Sequence, residues 1–146
     1  WQQKADARAA KRAARSDGIR TYGTKFSANE AVARLLSWAR SGMAGYPDQC
    51  RRLADDAYGA TGARTTTALA QWARAKAAGV GHPGSKDIPV GAQMFWQTSN
   101  PAGHIAVYVG NGKVVTNVPG GALEIMDWHK INEWGPYQGW ANPYYG

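Results

Sequence analysis

Apolar positions recur at helical spacing from residue 27 onward: Val32, Leu35, Leu36 and Ala39 form one stripe, and polar residues occupy the opposite side. Ser27 followed by Glu30 has the S-x-x-E form of a capping box, which places the helix start at Ser27. Gly42, Gly45 and Pro47 end the pattern. A further helix is predicted from about Asp48 through DQCRRLADDAYGA, and another over TTTALAQWARAKAAG with Gly79 as its stop. From residue 88 the period changes from helical to alternating. IPVGAQMFWQ, GHIAVYVG, KVVTNV, ALEIMDW and YQGWANP are short β-rich runs separated by Gly, Asn and Pro, while GHPGSKD reads as a loop. Helices first and antiparallel strands second predict an α+β fold.

The chain has 146 residues, room for one domain with a real core. Its net charge of +7 is unevenly placed. Residues 1–25 hold seven basic side chains against two acidic ones, a net +5, leaving +2 for residues 26–146. This divides the chain into a basic helical arm or linker end (1–25) and a nearly neutral body (26–146). Residues 2–16 are rich in Ala, Arg and Lys and are predicted helical, with too few large apolar side chains for a core of their own. Such an arm favours polyanions, among them anionic wall polymers. The body lacks a basic face, and the arm has no interleaved aromatics after Trp1, which weighs against nucleic acid. No run approaches the roughly 18–20 apolar residues of a membrane span. The start, WQQKADARAAKRAAR, carries no signal-peptide pattern and reads as a fragment of a longer chain.

Candidate chemistry centres on Cys50, the single cysteine. A lone cysteine is ordinarily a small buried hydrophobe, but this one falls in the first turn of a predicted helix. Unpaired N–H groups and the macrodipole there favour the thiolate. Leu53, Ala54 and Ala57 put Cys50 on the inward stripe, with Arg51, Arg52, Asp55 and Asp56 toward solvent. A thiol nucleophile needs an imidazole. His82 lies in a predicted loop and His129 follows Trp128 after a strand; both read as solvated. His104 opens an alternating strand after a glycine, sharing its face with Ala106 and Tyr108. The second ring nitrogen needs an orienting group. If Asn111-Gly112 form a two-residue turn, opposed residues have numbers that add to 223, and Asn117 shares the face of His104. A loop one residue longer brings Thr116 there instead. Asn117 is the preferred choice, because an amide oxygen accepts the ring N–H with longer reach.

A helix-starting Cys, then the strand IPVGAQMFW, then GHIAVYVGNGK, resembles the papain-like cell-wall hydrolases: the NlpC-type peptidases and the related CHAP group (cysteine, histidine-dependent amidohydrolases/peptidases). The resemblance covers roughly residues 43–142. Ala92 stands where the P-x-G-D strand usually has Asp, and Gln49-Cys50 is closer to the CHAP form than to D-C-S-G. It implies a papain-like arrangement, with the nucleophile helix packed on the sheet. It further implies a Cys50 nucleophile, a His104 base and a polar third residue. The oxyanion would be held by the Cys50 N–H with Gln49 or Tyr46 as side-chain candidates. No metal or other cofactor is implied. The implied activity is hydrolysis of peptidoglycan amide bonds, in a stem peptide or at the sugar–peptide link, by a protein of the cell wall or periplasm, or one delivered by a phage or secretion system. Two other readings remain open. One is a papain-like toxin acting as deamidase, acyltransferase or transglutaminase. The other is an inactive wall-binding module. The aromatic stretch WGPYQGWANPYY could wall a groove, although closure of the sheet core by Trp134, Tyr137 and Trp140 is the favoured reading.

Overall fold

The computed structural model describes residues 19–42, 50–61, 67–118 and 122–146, and of Cys50 and Arg51 the backbone alone. Among the described residues, three helices precede a six-stranded antiparallel sheet, an α+β architecture. The helices are α1 (Ala28–Arg40), α2 (Cys50–Tyr58) and α3 (Ala68–Ala77). The strands are β1 (Gly81–Pro83), β2 (Gln93–Trp96), β3 (His104–Gly110), β4 (Lys113–Asn117), β5 (Leu123–Asp127) and β6 (Tyr137–Ala141), in spatial order β1-β6-β2-β3-β4-β5. A 3-10 helix, Trp128–Glu133, links β5 to the last strand.

Local signals set the helix ends. Ser27 accepts from the Glu30 N–H at 3.2 Å while the Glu30 carboxylate accepts from the Ser27 N–H at 2.8 Å, completing the expected capping box. Thr67 caps α3 by accepting from the Ala70 N–H, and Gly79, at φ +81°, supplies the left-handed residue past its end.

Strand alternation sorts the apolar residues into two cores. On one face Phe95, Ile105, Val107, Val115 and Leu123 pack against the stripes of α1, α2 and α3, including Leu35, Leu53, Ala57 and Trp72. On the other face Met94, Trp96, Ala106 and Val114 pack under the 3-10 helix residues Trp128 and Ile131. Trp134, Tyr137 and Trp140 pack against this second core, closing it as expected. Among the described residues no helix is long and apolar enough to cross a membrane.

Three sequence-based placements change. GHPGSKD is not all loop: Gly81–Pro83 is an edge strand on β6, and His82 stacks on Trp140 with ring centroids 3.8 Å apart. A three-residue strand containing proline carries no readable alternation, and only its tertiary partner defines it. Residues 19–25, assigned to the arm by charge, run along the body instead. Tyr22 bridges Tyr144, and Thr24 bridges Ala60. Asp55 does not face solvent but is fully buried. The predicted helix over residues 2–16 lies outside the described residues.

Candidate active site

His104 opens β3 opposite Trp96 of β2. Its ring is half-buried, edge-on to Trp134 at 5.1 Å and tilted against Trp96 at 6.2 Å between centroids. Gly103 precedes it at φ +77°, and a Cβ there would lie 2.9 Å from the Trp96 carbonyl and collide with Leu69 of α3. The glycine thus lets α3 and β2 close around the start of the strand, which fixes the ring's backbone.

The hairpin after His104 decides its partner. Asn111 and Gly112 both have positive φ, +54° and +74°, forming the tight turn expected from Asn-Gly, with Gly110 opposite Lys113. Beyond the turn the register slips by one: Tyr108 opposes Val114 and Val107 opposes Val115. Val109 is the extra residue, a β-bulge in β3. The slip carries Thr116, not Asn117, onto the face of His104. The Thr116 hydroxyl lies 2.7 Å from His104 Nε2. Asn117 is therefore displaced as the preferred orienting residue: it is buried in β4 opposite Leu123, one step along a strand whose side chains alternate between faces. The turn was read correctly, and the bulge beside it reversed the face.

The bonds around Thr116 also set the proton on the ring. When its single hydroxyl hydrogen goes to the Ile105 carbonyl, 3.2 Å away, the oxygen is the acceptor and Nε2–H the donor. Nδ1 is then the basic nitrogen. Burial pushes the His104 pKa down to about 4, because charge is poorly solvated among two indoles and a hydroxyl. The ring is a neutral acceptor at pH 7.

The backbone of Cys50 is the first turn of α2. Tyr58, at the other end of the helix, donates its hydroxyl to the Gly91 carbonyl, and Gly91 donates its N–H to the Tyr108 carbonyl at 2.8 Å. This pins the carboxyl end of α2 beside the Tyr108 half of β3, and the helix packs on β3 and β4. Its buried residues pack on the Ile105–Val107 face, whereas His104 lies with Trp96 and Trp134 on the other. Helix and ring thus approach β3 from opposite faces. The oxyanion candidates Gln49 and Tyr46 lie outside the described residues.

One feature near α2 had no sequence signal. The buried Asp55 interacts with the Tyr145 hydroxyl, which also accepts from the Gln93 amide at 2.9 Å. A carboxyl, a phenol and an amide thereby tie the middle of α2 to β2 and to the end of the chain. Among the described residues no group of three His, Cys, Asp or Glu side chains could hold a metal ion. In comparisons with known proteins, no protein-family model and no curated protein matches the chain.

Proposed function

We propose that the protein is a thiol-dependent hydrolase of peptidoglycan amide bonds, with Cys50 as nucleophile and His104 as general base. The observation that carries this reading is the seating of His104 on Thr116: the hydroxyl lies 2.7 Å from Nε2, which makes Nδ1 the ring nitrogen assigned to the proton transfer. In this proposal the Cys50 thiol is the partner of Nδ1. The thiol gives its proton to Nδ1 and attacks the carbonyl carbon. The imidazolium then protonates the leaving amine, and water activated by the ring releases the acyl group from the thioester. The Cys50 N–H at the helix start, with Gln49 or Tyr46 as the side-chain candidates, would hold the oxyanion. The arm of residues 1–25 would add affinity for anionic wall polymers.

The approach of helix and ring from opposite faces favours a second reading, a wall-binding module without turnover. One measurement separates the two. Iodoacetamide should modify Cys50 near neutral pH faster than a free cysteine peptide, and His104→Ala should slow that reaction at least tenfold. Hydrolysis of purified peptidoglycan should vanish in Cys50→Ala. A thiol no more reactive than the peptide, and indifferent to residue 104, would remove the nucleophile and leave the binding module.

A further inference from the structure

On the same sheet face as His104 lies a cavity of about 290 Å³ lined by Gly84, Lys86, Trp128, His129, Asn132 and Tyr137. Trp96 opposes both His104 and Tyr137 in its two strand pairings, so the cavity begins two strand spacings, about 10 Å, from the His104 ring. Trp96 and Trp134 form the ground between them.

The polar groups in this cavity are fixed by bonds made outside it. The Asn132 amide oxygen accepts from the Trp96 indole N–H at 2.9 Å, which leaves its NH2 as donor. The Tyr137 hydroxyl donates to the Ser85 carbonyl at 2.7 Å, which leaves its oxygen as acceptor. His129 turns Nδ1 to Asp127 at 2.7 Å, leaving Nε2. Lys86 adds a further donor. The half-buried Tyr137 ring supplies an apolar wall, with the buried Trp128, covered by His129 at 3.9 Å, as its floor. A carboxylate only accepts, and it would face the Tyr137 oxygen and the nearby Asp127 charge. A sugar hydroxyl donates and accepts at once, and a pyranose ring offers C–H groups to an aromatic wall.

We infer that this cavity is a saccharide-binding site for one pyranose unit, placed to seat a glycan beside the His104 end of β3. The inference stands apart from the thiol reading, since it needs no reaction at Cys50.

The test is titration of the full chain, 15N-labelled, with N-acetylglucosamine and with its β-1,4-linked trimer. The expected result is saturable shifts of the Trp128 indole and Asn132 side-chain amide signals at millimolar sugar. Lys86→Ala, an exposed position, and Asn132→Ala should each weaken binding about fivefold, the effect of one lost hydrogen bond. Cys50→Ala should bind as wild type, so a failed hydrolase assay and a failed sugar titration remain distinct results. Absence of shifts at those two groups, or affinity unchanged in Lys86→Ala, overturns the inference. So does tighter binding there of acetate or an acidic dipeptide than of the sugar.

Discussion

Thr116 is a small residue with a large consequence for His104. Its hydroxyl lies 2.7 Å from Nε2 and 3.2 Å from the Ile105 carbonyl, bridging ring and backbone. Thr116→Val keeps the shape and removes both bonds, so the ring loses its fixed tautomer. Peptidoglycan hydrolysis should fall on the order of tenfold in kcat, as expected when a base is misplaced, with a shifted acid limb of the pH profile. Thr116→Ser should restore both; a valine variant with wild-type kcat and pH profile would show that Thr116 merely packs. His104 also couples folding to pH. Its folded pKa of about 4 lies below the value near 6.5 of an unfolded chain, so between those values the unfolded state binds more protons. This contribution to stability is full above pH 6.5 and is lost as pH falls toward 4, by at most about 3 kcal/mol. Denaturant titrations of wild type and His104→Asn across this window should show the slope in the first alone. Both residues were visible as candidates in the sequence. The choice between Thr116 and Asn117 was not, because a bulge at Val109 depends on how β3 lies against β2 and the helices.

Among the elements, α1 and α2 share the helix-side core, and Arg34 adds a polar link between them. Arg34 donates to the carbonyls of Ala57 at 3.1 Å and Asp56 at 3.2 Å, at the carboxyl end of α2. Its guanidinium also lies 4.2 Å over the Phe26 ring and 4.8 Å over that of Trp38. Arg34→Ala should cost about 1–2 kcal/mol in chemical denaturation. Arg34→Lys should recover only part of this, since an ammonium has no planar fork to stack and bridge; full recovery by lysine would reduce the contact to simple charge. The helices themselves were legible from Ser27, Glu30 and the Val32–Leu35 stripe, since caps and helical period are local properties. The burial of Asp55 was not legible. Its partner Tyr145, which also bonds Gln93, lies far along the chain, and sequence spacing treats a carboxylate between an alanine and another aspartate as surface.

For the whole molecule, the switch from helical period to alternating runs was enough to predict α+β, because each layer must bury one patterned face. Charge groups residues 19–25 with the arm, while backbone pairing seats Tyr22 and Thr24 on the body. Residues 20–22 lie parallel to residues 142–145. Tyr22 donates its N–H to Pro143 at 3.0 Å, Tyr145 donates to Tyr22 at 2.7 Å, and the Asn142 amide donates to Arg20 at 3.0 Å. The Tyr145 ring is buried in the helix-side core, and its neighbour Tyr144 accepts from Gln71 at 2.7 Å.

That seam has a mechanical consequence. Because its two segments run in the same direction, tension applied at Ile19 and Gly146 draws them past each other lengthwise. The three contacts share the load instead of parting in turn, and resistance to stretching is governed by the rate of crossing that one barrier. In single-molecule pulling, attachment at these two points should give a higher rupture force than attachment at Ile19 and Asn111, where the same seam peels from one end; equal forces would mean that the seam is not what yields.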